Sequence, residues 1–231
     1  MYKIISTFTG GGGLDIGFHG GFIFLEKKFK KLDFETAVSL DINNFSCNTI
    51  REDNNYFSNT EVYNENIIDF DENQIPNQDF DLLLGGFPCV TFSVVGKQKG
   101  IKDDLNGQLY QSYARYVDTF RPKVFLAENV KGILSANKGE AVKIIKKRFE
   151  DTGYKLKIYS VNFADLGVPQ LRQRVLFIGV RDDIETEFIG PDLTHKGKHL
   201  TSGDAFNNIN QDCPNNNHIK ALPKTTEKIN A

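Results

Sequence analysis

Short runs of β-branched and apolar residues alternate with stretches whose apolar positions recur every three or four residues. That is the pattern of an α/β domain with a largely parallel sheet. Residues 3–8 read as a first strand running straight into Gly10, Gly11, Gly12 and Gly13. Residues 36–40 read as a second strand ending at Asp41, and residues 81–84 as a third, closed by Gly85-Gly86. Between 108 and 120, Leu109, Tyr113, Tyr116, Val117 and Phe120 recur at helical spacing, and Pro122 breaks the helix they predict. Residues 124–127 follow as a buried strand ending at Glu128-Asn129. A helix over 141–149 places Val142, Ile145 and Phe149 on one face, with Gly153 as its C′ residue. Residues 156–161 and 175–180 flank a polar loop and read as a late β-hairpin. The basic segment 26–31 reads as a solvated helix or loop.

The pattern changes after Val180. Pro191, Pro214, Pro223 and an Asn-rich stretch leave little that could build a second core. Residues 1–181 are therefore expected to form the folded domain. Residues 182–231 are expected to be an extended connector with one short helix near 202–206.

Composition fits this picture: of 231 residues, 39% are hydrophobic and 25% charged, an ordinary globular balance. The longest apolar runs, such as Val175-Leu176-Phe177-Ile178, fall far short of the roughly 20 residues a bilayer span needs. Residues 1–8 lack the long apolar stretch and cleavage site of a signal peptide. The three cysteines, Cys47, Cys89 and Cys213, lie far apart with no Cys-x-x-Cys pair. A disulfide framework and a cysteine metal site are thus disfavoured, and a reducing cytoplasm fits best. The 28 basic and 30 acidic side chains give a net charge of −2, which argues against a strongly basic nucleic-acid binder but not against local basic loops.

Four features could carry chemistry, each at a strand end. Glycines 10–13 directly after a first strand let the backbone turn sharply and admit a ligand without Cβ clashes. Asp41 ends the second strand, where doubly wound folds bind ribose hydroxyls. Together these imply a cofactor containing adenosine, and leave NAD, FAD and S-adenosylmethionine equally open. Cys89, in Gly85-Gly86-Phe87-Pro88-Cys89, follows the third strand; a lone cysteine there is also a common apolar filler, the reading given to Cys47 and Cys213. Glu128 at the end of a buried strand is costly unless bound or protonated, while Asn129 beside it has the simpler reading of a helix N-cap. Arg172 and Arg174, two residues apart at a strand entry, point to one side in extended chain and could clamp an anion or carbonyl.

Taken together these residues resemble the DNA cytosine-5 methyltransferase family, over roughly residues 3–181 as judged by motif order. The Phe8-Thr9-Gly10-Gly11-Gly12-Gly13 loop, the Pro88-Cys89 pair, the Glu128-Asn129-Val130 triplet and the Gln170-Leu171-Arg172-Gln173-Arg174 run stand in the family's order. Residues 85–100 are especially close to the bacterial restriction–modification enzymes.

The resemblance implies a Rossmann-like, doubly wound methyltransferase fold that uses S-adenosylmethionine. Cys89 would add as thiolate to C6 of a cytosine flipped out of double-stranded DNA. Glu128 would hold N3 and the exocyclic amine, Arg174 would face the base carbonyl, and Arg172 would lie closer to the backbone phosphate. On the cofactor side, Phe8 and Gly10, Gly11, Gly12 and Gly13 would border the methionine and adenosine portions. Asp41 would take the ribose, Ile42 would pack on adenine and Asp69 would meet the adenine amine beside Phe70, with Phe87 and Leu109 completing the wall. No metal is implied.

The loop 91–104, with Lys97, Lys99, Lys102 and hinge-like Gly96 and Gly100, would close over the base. One departure is Asn106, where relatives commonly carry arginine. A larger one is that the family's target-recognition domain and final cofactor motif do not follow residue 231. The resemblance therefore implies the catalytic half of a split or truncated enzyme that needs a second polypeptide or missing C-terminal segment. The competing readings are a regulatory, partner-binding half-subunit without turnover, and a transfer-RNA cytosine-5 methyltransferase.

Overall fold

A computed structural model describes residues 1–76, 78–88 and 105–207, the first four of the last span as backbone only. The strands are β1 (Tyr2–Thr7), β2 (Ile23–Phe24), β3 (Lys27–Lys28), β4 (Phe34–Leu40), β5 (Glu61–Tyr63), β6 (Leu82–Gly85), β7 (Val124–Val130), β8 (Tyr154–Asn162) and β9 (Gln173–Arg181). The helices are α1 (Gly13–His19), α2 (Asn44–Glu52), α3 (Leu105–Phe120), α4 (Glu140–Glu150) and α5 (Ser202–Phe206).

Seven strands form one sheet in the order β5-β4-β1-β6-β7-β9-β8. The first five are parallel, and β9 runs antiparallel to both β7 and β8. The chain winds from β1 outward to β5, then returns to β6 and winds the other way. The carboxyl ends of β1 and β6 thus flank the switch point, where an open α/β sheet leaves a crevice for a ligand. The fold is the doubly wound α/β sheet with a closing antiparallel hairpin that the hydrophobic pattern predicts.

Strand parity sorts the core. Ile4, Leu82 and Leu84 pack with Phe18 of α1 and Phe34 on one face. Ile5, Leu83 and Phe125 face the other way, against Tyr113, Tyr116 and Val117 of α3 and Ile145 and Phe149 of α4. Gly85 permits α3 to come this close: a Cβ there would stand 2.5 Å from the Tyr113 ring and 2.7 Å from Thr7 Oγ1.

Several local expectations are corrected. The basic segment 26–31 is not a helix or loop throughout: β2 and β3 pair as a small hairpin, with Phe22 stacked on Phe29 and Lys27 over the Phe29 ring. Its two turn residues, Leu25 and Glu26, both adopt positive φ (47° and 64°). β7 continues to Val130, so Glu128 lies within the strand and not beyond it. Gly153 is left-handed (φ 81°), but α4 ends at Glu150 with Asp151 as its C-cap, so the C′ position falls to Thr152.

Residues 182–199 lie back on the domain. Asp182 N bonds Gly153 O, Tyr159 hydroxyl bonds Phe188 O (3.0 Å), Lys157 pairs with Glu187, and His199 Nε2 meets Asp165 Oδ1 at 2.7 Å. Among the described residues, no helix is long and apolar enough to cross a membrane.

Candidate active site

The first strand leaves the sheet at Phe8, whose φ of 52° is unusual for a bulky side chain and turns the chain abruptly into the glycines. Thr7 Oγ1 ties this corner to the Leu84 carbonyl of β6 (3.1 Å). Gly12 begins α1 at φ 76°, with no room for a Cβ against Phe57 and Ile50. Gly10, Gly11 and Gly13 are different: among the described residues, a Cβ on any of them would meet nothing within 4 Å beyond its own stretch of chain. Their emptiness faces outward, which is the shape of a cradle that a ligand fills.

Asp41 stands at the rim of that cradle. Its Oδ2 accepts from Gly10 N and its Oδ1 from Asn43 N, both at 2.8 Å. Each oxygen keeps a lone pair, so the carboxylate is fixed in place and still able to accept ribose hydroxyls. Asn64 secures the same corner by donating to the carbonyls of Asp41 (3.1 Å) and Ile42 (3.0 Å). Ile42 is 69% exposed, an apolar surface offered beside the carboxylate.

Asp69 sits on an exposed loop after β5, with Oδ2 accepting from Asn66 Nδ2 at 2.9 Å. Phe8 and Leu109 flank the buried cluster that contains Phe70 and Phe87. Phe87 is only 2% exposed and packs on Tyr110, Tyr113 and Phe177. Its ring belongs to the core. The open glycines, the positioned Asp41 and the bare Ile42 fit an adenosine-bearing group.

Beneath the cradle lies a buried network that sequence reasoning missed. Asp15, fully buried on α1, accepts from Ser6 Oγ on β1 (3.0 Å) and from Thr36 Oγ1 on β4 (2.9 Å). His19 Nε2 lies 2.9 Å from Thr36 Oγ1; because that hydroxyl donates to Asp15, we assign the proton of this contact to Nε2. Burial pushes the Asp15 carboxyl up to about 6, against the hydroxyl bonds that lower it. Burial, helped by nearby Lys31, pulls His19 down. The network holds α1, and with it the glycine corner, on β1 and β4.

The second half of the site is built on β7 and β9. Their antiparallel register puts Arg174 opposite Val130, on the same face as Glu128 two residues back. Arg174 Nε reaches Glu128 Oε1 at 2.6 Å, and Arg172 Nη2 reaches the same oxygen at 3.2 Å. Both arginines therefore grip one carboxylate oxygen. Glu128 Oε2 instead borders Gly86, 3.6 Å from where a Cβ would stand. Arg172, which the resemblance puts nearer the backbone phosphate, contacts Glu128 in this structure.

Asn129 is also corrected. It caps no helix, for the turn that follows has no side-chain cap. It is 2% exposed; its Nδ2 donates to the Phe87 carbonyl (2.9 Å), and its Oδ1 accepts from Val130 N (2.8 Å). One side chain thus joins the end of β7 to the chain leaving β6. Cys89 and the loop 91–104, with Lys97, Lys99 and Lys102, lie outside the described residues, as does the side chain of Asn106. Pro88, the last described residue before Cys89, follows the anchored Phe87. Cys47 is buried, with Sγ 3.3 Å from the Asp41 carbonyl, and burial raises its thiol pKa.

Comparison with known proteins agrees with this geometry. The family model described as C-5 cytosine-specific DNA methylase matches residues 2–230. The type II methyltransferase M.NgoFVII of Neisseria gonorrhoeae is 39% identical over 239 residues, covering 98% of this chain and 58% of that protein. M.BbvI of Brevibacillus brevis is 31% identical, covering 96% of this chain and 61% of its own length. M.AquIA of Picosynechococcus is 34% identical over 84% of this chain and 77% of that protein. The chain thus spans about three fifths of the first two relatives.

Among solved structures, one described as a prophage-encoded DNA modification methyltransferase of E. coli superposes with a TM-score of 0.70. It is 24% identical and covers 92% of this chain and 56% of that one. The S. pombe Dnmt2 methyltransferase gives 0.60 at 16% identity, over 97% of this chain and 63% of its own. These two likenesses support the fold. With a family model that runs almost end to end, the chain belongs to the C-5 cytosine-specific DNA methylase family.

Proposed function

We propose that this chain carries the methyl-transfer machinery of a DNA cytosine-5 methyltransferase of the restriction–modification type. The observation that carries the proposal is the meeting of Glu128, Arg172 and Arg174 beside Gly86, at the sheet edge that also holds the glycine cradle. When bound in that cradle, S-adenosylmethionine supplies an electrophilic methyl group on its sulfonium. Gly10, Gly11 and Gly13 leave its path clear, Asp41 accepts the ribose hydroxyls, Ile42 covers adenine, and Asp69 accepts from the adenine amine.

Cytosine C5 is a weak nucleophile until a group adds at C6. Cys89, as thiolate, forms the bond to C6, and the displaced electron pair gives C5 the nucleophilic character to take the methyl group. Glu128 accepts from the exocyclic amine through Oε2 and shares a proton with N3 as charge develops on the ring, while the arginines fix its Oε1. Arg174, the more buried of the two, stabilises charge at the base carbonyl. Loss of the C5 proton to solvent water leaves its electron pair to re-form the C5–C6 double bond, which expels the Cys89 thiolate and restores the ring. The base must leave the duplex to meet Cys89. None of these groups reads neighbouring bases, so target choice falls to a partner polypeptide or a further segment.

The test uses duplex DNA tritiated at cytosine C5, with S-adenosylmethionine, the chain, and the chain together with its recognition partner. Tritium should be released in step with methylation, and Glu128→Gln should slow release at least about 100-fold. Methylated DNA that retains its C5 tritium sinks the proposal.

A further inference from the structure

The helix that follows the Cys89 segment also grips the loop that carries Asp69. From α3, Arg115 Nη2 donates to the Ile67 carbonyl (2.8 Å) and reaches that of Phe70 (3.5 Å), so one guanidinium brackets Asp69 along the backbone. Its Nε is buried and stands 3.3 Å from Glu72 Oε1, a charge contact without hydrogen-bond alignment. Thr119, one turn further along α3, reaches the same Glu72 oxygen at 3.4 Å. Inside the loop, Asn66 accepts from Ile68 N (3.1 Å) and donates to Asp69 Oδ2 (2.9 Å), while Asp69 N bonds Asn66 O. Ile67 and Phe70 anchor the segment in the core.

Among the described residues this loop pairs with no strand, so its aim rests on these bonds and on the Ile67 and Phe70 anchors. We propose that Arg115 is a positioning residue for the adenine end of the cofactor site, holding the Asp69 carboxylate where it meets the adenine amine. The inference rests on the assignment of Asp69 made above. An acceptor displaced by 1 Å no longer makes a hydrogen bond, so loss of the clamp is felt at adenine before it is felt elsewhere. Both carbonyls are reached from the one Nη2; a lysine ammonium keeps the charge and has donors for them, but it lacks the second nitrogen that stands beside Glu72. Because Arg115 lies ten residues beyond Leu105, about 15 Å along the helix, the clamp also joins the cofactor loop to the element that leads out of the Cys89 segment.

Isothermal titration of the full chain with S-adenosylhomocysteine and its S-inosyl analogue, which has oxygen in place of the adenine amine, tests this. The wild-type chain should prefer the adenosyl ligand. Arg115→Gln should weaken the adenosyl ligand about tenfold, the scale of one lost charge-assisted hydrogen bond, and leave the inosyl ligand unchanged. Arg115→Lys should fall between. Equal weakening of both ligands, or no weakening of the adenosyl one, overturns the clamp. A wild-type chain that binds both ligands alike overturns the Asp69 assignment itself, and the clamp with it.

Discussion

At the scale of single residues, the site depends on contacts between side chains far apart in sequence. Asn129 meets the Phe87 carbonyl across 42 positions, just before the Pro88-Cys89 pair. Asn129→Ala leaves that buried carbonyl without its donor, a cost of about 1–3 kcal/mol, and frees the chain that presents Cys89. Asn129→Asp keeps the acceptor for Val130 N but also loses the donor. Both variants should slow single-turnover methylation by about tenfold to a hundredfold, with affinity for S-adenosylhomocysteine unchanged. An Asn129→Asp protein that turns over at the wild-type rate would contradict this role. Sequence marked Glu128 and both arginines because strand ends and two-residue spacing are local signals. It could not show that the arginines share one oxygen of Glu128, or that Asn129 reaches back to Phe87, because nothing local encodes those pairings.

At the scale of elements, α1 depends on its buried network as well as its apolar contacts. Gly13 and Gly17 weaken it as a helix and no side chain caps its start, so its hold on β1 and β4 through Asp15 matters. The sign of the pH effect follows from the raised Asp15 pKa. Its contribution to stability is full below about 3.8 and is lost as pH rises through about 6. Complete ionisation costs about 3 kcal/mol relative to an exposed carboxylate. His19 acts in the opposite direction, costing stability as pH falls through its lowered pKa, and is common to wild type and Asp15→Asn. Thermal melts at pH 5 and 7.5 should therefore show a larger loss of Tm with rising pH in wild type than in Asp15→Asn. Identical pH profiles for the two proteins would refute the network's role.

Legibility at this scale followed periodicity. The strands at β1, β4, β6 and β7, the late hairpin, and α3 and α4 carry clear apolar runs or faces, and each was expected within a few residues of its position. β5 is three residues long with little pattern, and the Leu25-Glu26 turn lacks the Asn-Gly or Asp-Gly signal of a tight hairpin. The Asp15–Thr36–His19 network was invisible because it joins α1 to β4 through tertiary packing alone.

At the scale of the whole molecule, the charge balance is consistent with a division of labour. Residues 1–180 carry 22 basic and 22 acidic side chains, and among the described residues Arg172 and Arg174 are both spent on Glu128. A DNA duplex requires more positive charge than that for tight binding, in keeping with recognition by a partner or further segment. The proposed reaction turns on a covalent bond from Cys89 to cytosine C6. The most direct measurement incubates the chain, with its recognition partner and S-adenosylmethionine, on duplex DNA containing 5-fluorocytosine. Fluorine at C5 cannot leave as a proton does, so the methylated base should stay bonded to the protein. The expected product is a denaturant-resistant protein–DNA adduct, mapped by mass spectrometry to Cys89 and lost in Cys89→Ala. Methylation of ordinary cytosine by the same assembly without any such adduct would contradict the proposed reaction.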